Sequence, residues 1–421
     1  VTTPAPTAPD RTPRRLSAVA VPGLLLAGVL LVALNLRGPL VATAPVVGDL
    51  RVDLDVDAGT IGLLTAIPVL CFGLAAPLAS AVIARTGPHR AVLVALAGIL
   101  AGTVLRSVGD ARTAIAGTVV IGLAITVGNV VLPVVIGQDF PTARNVVTAA
   151  YTAALNVGSA LTTTATAPLA DLVGWRWALA SWGLLVLAAA GVWTAALRRQ
   201  RVRTAAVSAA QAAAGDVPGP PTPTVPHRPV TRQPAVWGLT LAFGMQAFSY
   251  YGVTAWLPSL LADEQGLTRA AAGASSSLFQ VFAVVGAFAV PALVAWWKRP
   301  AAVLLAVTAA WATLPIGLIV APGLWAVWSS LAGVAQGGGI TVVFIAIVAR
   351  SRDLVENRRT SATVQGGGYV IAATGPLVIG AVHDLSGGWT VPMLVILGAV
   401  AVMAVAGGLS AGGRTEGAGR G

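Results

Sequence analysis

Charge is the scarcest commodity in this sequence. Only 10% of the 421 residues are Asp, Glu, Lys or Arg, against about 25% in a soluble domain, which excludes an ordinary water-soluble globule. A single cysteine, Cys71, excludes a disulfide framework and a cysteine-based metal site. The three histidines, His89, His227 and His383, are scattered and give no metal cluster, so neither metal nor cofactor is expected. The fifteen Asp and Glu residues fall in loops, tails or near the ends of apolar segments. No carboxylate pair or nucleophile is therefore expected at membrane depth, as a membrane enzyme would need. No soluble signalling domain is visible either: the longest polar stretch is a Pro/Ala-rich linker, which argues against a receptor or sensor. The triplets Gly337-Gly338-Gly339 and Gly366-Gly367-Gly368 have no preceding strand and no following Lys-Ser/Thr, so they are not phosphate loops. They are expected to permit close helix contact.

What is abundant is apolar sequence: 56% hydrophobic residues and a mean hydropathy of +0.83. Long apolar runs lie at about 20–47, 58–84, 90–108, 113–137, 145–170 and 177–197. They resume at about 235–261, 270–296, 301–320, 323–348, 360–382 and 390–410. Continuous runs of this length predict helices rather than the short alternating strands of a barrel. The fold expected is all-α and integral to the membrane, with twelve transmembrane helices in two pseudo-symmetric six-helix bundles, at 16–199 and 234–410. Residues 1–15, the linker 200–233 and the tail 411–421 read as disordered. Proline inside the runs (Pro68, Pro77, Pro133, Pro258, Pro291, Pro315, Pro376) predicts kinks.

The net charge of +11 invites a nucleic-acid reading, but its placement speaks otherwise. With both termini on one side, 20 of the 26 Lys and Arg residues fall on that side. They lie before the first run, at Arg85 and Arg90, at Arg144, in the central linker, at Lys298 and Arg299, between Arg350 and Arg359, and in the tail. Five lie opposite: Arg51, Arg106, Arg112, Arg176 and Arg269. The positive-inside rule then makes both termini and the linker cytoplasmic. The expected partners are the lipid bilayer and a small molecule, with no nucleic acid, and the chain is expected to act as a monomer.

One ionisable side chain, Arg37, is left inside a run. It lies about 22 Å from Pro22 and about 18 Å from Asp49 if the segment is helical throughout. An intramembrane arginine costs roughly 2.5–3.5 kcal/mol even on lenient scales, so it must face a cavity or a partner. In the other reading the helix ends at Gly38-Pro39 and Arg37 snorkels to the outer surface. Uncharged polar residues sharpen the first reading. Asn35, Asn129, Tyr151 and Asn156 occupy the first, fourth and fifth runs. Gln246, Tyr250, Tyr251, Gln280, Gln336, Gln365 and Tyr369 occupy the seventh, eighth, tenth and eleventh. Singly, each amide is as readily interhelical glue. Together around one arginine they describe a polar pocket, to which Trp256 would add a stacking face.

Both halves carry a basic turn after their second run, Arg85-Thr86-Gly87-Pro88-His89-Arg90 and Trp297-Lys298-Arg299-Pro300. The first resembles the Gly-x-Leu-x-Asp-Arg-x-Gly-Arg-Arg loop of the major facilitator superfamily. Arg85, Gly87 and Arg90 match its gating-loop positions, while Ala84 replaces the Asp and removes any salt bridge that Asp would make. Further stretches resemble the cyanate/2-nitroimidazole transporter family: Leu34-Asn35-Leu36-Arg37, Leu64–Leu78, Gly128–Pro133, Phe140-Pro141 and Gly174-Trp175-Arg176. The series continues through Ala255–Pro258, Ser277–Gln280, Gln365–Tyr369 and His383–Trp389. The resemblance covers about residues 20–410, in order. It implies a bacterial inner-membrane secondary carrier for a small polar or anionic solute, cyanate-like or nitroimidazole-like. The alternative is a drug or metabolite efflux carrier of the same fold. In that superfamily spans 1, 4, 7 and 10 line the cavity, with 2, 5, 8 and 11 beside them and 3, 6, 9 and 12 outside. The Asn, Gln and Tyr residues avoid the outer four, which matches that order. Without a mid-membrane carboxylate or histidine, facilitated diffusion, exchange, or cotransport with a proton carried on the solute is expected.

Overall fold

The computed structural model describes residues 23–211, 230–297, 299–350 and 354–411. The N-terminal tail, most of the linker, Lys298, Arg352 and the C-terminal tail lie outside the described residues. Among the described residues the chain is helical throughout. The helices are α1 (Gly23–Val41), α2 (Val47–Leu54), α3 (Ala58–Leu74), α4 (Ala76–Thr86), α5 (Pro88–Ser107), α6 (Ala111–Asp139) and α7 (Arg144–Ser181). They continue as α8 (Gly183–Gln211), α9 (Pro234–Gln265), α10 (Arg269–Trp297), α11 (Pro300–Val320), α12 (Trp325–Arg350), α13 (Leu354–Ser386) and α14 (Thr390–Ala411).

These make twelve spans. The first runs from Gly23 through a short 3₁₀ turn to Leu54. The second is α3 and α4, bent by 64° where Ala75 leaves the helix and Pro77 begins the next one. The fifth and sixth meet inside α7 at Gly174, whose φ of 78° only glycine adopts cheaply. Of the prolines expected to kink spans, Pro77 stands at this bend. Pro68, Pro133, Pro258, Pro291, Pro315 and Pro376 sit inside continuous helices. α8 runs on to Gln211, into sequence that composition reads as linker; its Arg and Ala residues are strong helix formers.

With an even number of spans, Gly23 and Ala411 lie at the same end of the molecule, here the near end. Packing repeats between the halves. In the first, α1 packs on α7 and α8, α3 on α6, and α5 on α6 and α8. In the second, α9 packs on α13 and α14, α10 on α12, and α11 on α12 and α14. The repeat reaches single residues at the far end. Trp175 donates its indole N–H to Asp53 at 3.1 Å, and Trp389 donates to Asp263 at 3.0 Å. Each Trp follows a glycine turn with positive φ, Gly174 or Gly387, and each Asp closes the first span of its half.

Small residues set the helix spacing. Gly98 and Gly102 lie one turn apart on α5, and a Cβ on either would stand about 2.7 Å from Ala124 or from the Gly117 carbonyl of α6. This is the small-xxx-small contact that lets backbones meet in lipid. The glycine triplets act likewise: Gly337 abuts the Ala283 backbone and Gly368 the Phe243 ring. The outer surface carries Leu74, Leu172, Trp177, Leu184, Trp296 and Leu409 well exposed. Each would forfeit about 1.5–3 kcal/mol in water, so this belt belongs against hydrocarbon.

The two bundles touch along α3–α13 and α7–α10. Cβ atoms on Gly62 and Gly273 would come within 2.9 Å of the Pro376 carbonyl and 2.7 Å of the Thr163 carbonyl. At the far end, ion pairs reinforce the contact. Arg269 of α10 bonds Asp49 of α2 and, at 2.7 Å, Asp171 of α7. Asp384 of α13 faces Arg51 at 3.5 Å and accepts the Ala58 N–H at 3.1 Å. At the near end the bundles diverge around two cavities. One, of about 510 Å³, lies between α6, α7 and α10. The other, of about 470 Å³, lies between α3, α4, α6 and α13.

Candidate functional site

The first span continues well past Arg37, so this residue lies about midway between Gly23 and Leu54 and not at a helix end. The apolar run Leu40–Val47 is buried against the second bundle rather than left without a place. Arg37 keeps part of its surface accessible. Its Nη1 donates to Asn156 Oδ1 at 3.0 Å on α7 and to the Tyr250 hydroxyl at 3.2 Å on α9. The guanidinium also lies over the Tyr250 ring, 5.2 Å from its centroid, in cation–π geometry. One side chain thus ties the two bundles together at their interface. Among the described residues no carboxylate pairs with it. All four tyrosines of the chain (Tyr151, Tyr250, Tyr251 and Tyr369) lie within its electrostatic reach.

A second layer holds this cluster. The Tyr250 hydroxyl donates to Gln280 Oε1 at 3.3 Å, and Gln280 Nε2 donates to Thr254 at 3.4 Å. The Tyr250 ring stacks on Phe279 and meets Tyr251 edge-on. Asn156 is oriented by its own bond to the Thr152 carbonyl, 3.2 Å away. Gly158 of α7 rests on the Leu34 backbone and Gly38 of α1 on Thr162, so α1 and α7 are locked in register beside Arg37.

The other expected residues separate into groups. Asn129, Gln365 and Tyr369 line the cavity between the second, fourth and eleventh spans, and Tyr151 lines the one beside α10. Gln246 and Gln336 are buried, and Gln246 Nε2 and Oε1 and Gln336 Oε1 have no hydrogen-bond partner among the described residues. Unmet amides at such depth cost roughly 1–3 kcal/mol each, and Gln246 lies one helical turn before Tyr250 on the same face of α9. Asn35 points elsewhere: its amide donates to Leu31 and to the Leu185 carbonyl of α8, joining two helices of one bundle. Trp256 is also placed apart, donating to the Pro376 carbonyl at 2.9 Å and packing near Trp389 in the α9–α13 contact. Arg85 and Arg90 are exposed at the near end, flanking Gly87, whose φ of 79° turns α4 into α5.

One deep residue escapes sequence reasoning. Arg106 reads as a far-side loop residue, yet only 1% of it is exposed. Its Nη1 donates at 2.6 Å to the Pro39 carbonyl, in the last turn of α1, where helix geometry supplies no N–H. The signal available was Pro39 near a helix end, not the arginine itself. Among the described residues Arg106 is thus a buried cation within one bundle, while Arg37, partly accessible, lies at the interface between the two.

The chain matches the Major Facilitator Superfamily over residues 24–350. It is 30% identical over 387 residues to the uncharacterized transporter YycB of Bacillus subtilis (strain 168), covering 91% of this chain and 92% of that protein. It is 30% identical over 372 residues to the 2-nitroimidazole transporter of Escherichia coli (strain K12), covering 88% and 91%. The cyanate transport protein CynX of the same organism is 26% identical over 373 residues, covering 87% and 91%. Two solved structures share the fold. A D-xylose-proton symporter has a TM-score of 0.66 at 14% identity, over 93% of this chain and 97% of that one. A bacterial homolog of the human lysosomal transporter Spinster, inward-facing and unoccupied, has a TM-score of 0.67 at 13% identity, over 94% and 98%. The chain belongs to the major facilitator superfamily: it is a multi-pass membrane transporter resembling the cyanate/2-nitroimidazole transporters, and not an enzyme.

Proposed function

We propose that this transporter moves a small anionic or polar solute across the bacterial inner membrane by alternating access, with Arg37 as its principal binding charge. The observation that carries this is the Arg37 guanidinium, held between the bundles by Asn156 and Tyr250 with no carboxylate among its described partners. A cation so placed needs an anionic or strongly polar counterpart. The planar fork of donors suits a cyanate, carboxylate or nitro group. Cavities of this volume are ordinary for small ligands.

Two cavities at the near end and ion pairs across the bundles at the far end support a state of the cycle open at the near end. The distribution of Lys and Arg makes the near end cytoplasmic, so this is the inward-facing form. Solute reaching Arg37 is bound beside Asn156 on one bundle and Tyr250 on the other, which hold the guanidinium in place. Binding therefore acts on the contact that joins them, and reversal requires the Arg269 and Asp384 pairs to part. Asn129, Tyr151, Gln280, Gln365 and Tyr369 supply directional bonds from the surrounding walls. The unmet amides of Gln246 and Gln336 find partners when solute or the opposite state brings donors and acceptors to them. A single chain supplies both halves of the site, so it functions as a monomer. No carboxylate or histidine touches Arg37 among the described residues. Exchange, facilitated diffusion, or entry with a proton riding on the solute fits better than a carboxylate relay.

Counterflow in proteoliposomes tests the reading. Labelled cyanate or 2-nitroimidazole should exchange against the same unlabelled solute held inside, and the purified chain should leave both chemically unchanged. No exchange of any small anion or nitroimidazole, together with exchange of bulky amphiphilic drugs, would replace this reading with the efflux carrier.

A further inference from the structure

The near-end cavity beside α10 takes its polar lining from a single helix. Arg144, Thr148, Tyr151 and Thr152 of α7 face it, opposite Pro133 of α6 and Phe288 of α10. Their spacing is i, i+4, i+7 and i+8, one stripe of a helix. Asn156, which bonds Arg37, is the next residue on that stripe. Hydrogen bonds run along it: Asn156 donates to the Thr152 carbonyl at 3.2 Å, and the Thr152 hydroxyl donates to the Thr148 carbonyl at 3.0 Å. From Arg144 to Asn156 the rise is about 18 Å. The stripe therefore climbs from the exposed mouth of the cavity to the central arginine.

Among the described residues lining this cavity, Arg144 is the charged one. The nearest carboxylate in sequence, Asp139, faces His89 at 3.6 Å and is not part of the lining. The Arg144 guanidinium passes over Gly137, 3.9 Å from where a Cβ would stand, in the last turn of α6. The C-terminal end of a helix dipole favours a cation at that place.

We infer that Arg144 is a peripheral anion-binding station. It collects a small monovalent anion at the cytoplasmic mouth, at the lower end of the polar face of α7 that leads to Arg37. The inference rests on the proposed anionic solute for its role in transport, but the station itself is measurable without any solute. A fixed charge in a low-dielectric cleft concentrates counter-ions, and one residue a helical turn from the probe position is worth about threefold to tenfold in local anion concentration.

The test places a reporter in the cavity. Cys71, the only cysteine, is replaced by Ser, Thr148→Cys is added, and labelling is timed with a sulfonate-bearing and a trimethylammonium-bearing methanethiosulfonate. The rate ratio of anionic to cationic reagent should fall about tenfold to a hundredfold with Arg144→Gln, since the anion loses about threefold to tenfold and the cation gains as much, and be kept by Arg144→Lys. High salt should lower the ratio in the parent protein and leave Arg144→Gln unmoved. Ser80→Cys, in the other near-end cavity, should show no dependence on residue 144. A Thr148→Cys ratio unaffected by Arg144→Gln, or unaffected by salt in the parent, would overturn the station and leave Arg144 as a helix-end cation. In counterflow at a pH acid enough to keep 2-nitroimidazole neutral, Arg144→Gln should raise KM for cyanate with kcat unchanged and leave 2-nitroimidazole alone. If the parent carries 2-nitroimidazole but no anion, the anionic solute is refuted, while the labelling ratio still decides on Arg144.

Discussion

Removing Arg269 should unlatch the far end. This one side chain bonds Asp49 of the first span and Asp171 of the fifth from the start of the eighth, so it bridges the bundles twice. All three side chains are a third to a half exposed, at 48%, 32% and 46%. Exposed pairs of this kind contribute about 0.2–1 kcal/mol each. Arg269→Gln therefore forfeits about 1 kcal/mol of the sealed state, and leaving two carboxylates facing one another adds to the loss. At 1.4 kcal/mol per decade this opens the far end about fivefold more often. The assay uses Ala262→Cys in a cysteine-free background, since Ala262 lines a small far-end cavity that Arg269 also lines. Labelling by a membrane-impermeant thiol reagent should quicken about fivefold in Arg269→Gln and return toward the parent rate in Arg269→Lys. Salt should quicken the parent more than the variant. Equal labelling of parent and Arg269→Gln at low salt would refute the latch.

Tyr250→Phe keeps the ring beneath the guanidinium and removes the hydroxyl that bonds Arg37 and Gln280; it should weaken solute affinity about threefold to tenfold in counterflow while the protein stays folded. Trp175→Phe and Trp389→Phe remove equivalent indole bonds to Asp53 and Asp263, so in a thermal-shift assay they should lower stability by similar small amounts. Asp57 and Asp110 cap α3 and α6, and hydrogen bonds from Thr60 and from Thr113 hold their carboxyls below the usual range. Each contributes stability above the ordinary carboxylate pKa of about 4 that is lost as pH falls through the lowered folded value. Melting temperature should thus drop in acid, and less so in Asp57→Asn/Asp110→Asn, whose caps cannot titrate.

The spans were legible because apolar runs of this length have few other homes, and the Lys/Arg asymmetry added an orientation. Arg37, Asn156, Tyr250 and Gln280 were legible as a group because buried polar residues are rare in such segments and each needs a partner. What sequence could not give was the neighbour each face meets. Asn35 is two residues from Arg37 yet turns toward α8, and Trp256, six residues after Tyr250, seals the α9–α13 contact. Arg106 looked like a loop residue because it ends α5; it is buried because the Pro39 carbonyl across the bundle lacks a helical donor. Most prolines lie inside spans that stay helical, since neighbouring helices and Ser/Thr side chains can satisfy the backbone groups a proline frees.

The central claim is that Arg37 binds the solute. The direct measurement is cyanate counterflow by parent, Arg37→Lys and Arg37→Ala proteins reconstituted at equal folded amounts. Loss of a charge-assisted pair costs about 1.5–3 kcal/mol, roughly 10- to 100-fold in affinity. Arg37→Ala should therefore abolish counterflow at low cyanate, and Arg37→Lys, keeping the charge without the planar fork, should weaken it strongly. Counterflow by Arg37→Ala at the parent rate and affinity would contradict the account.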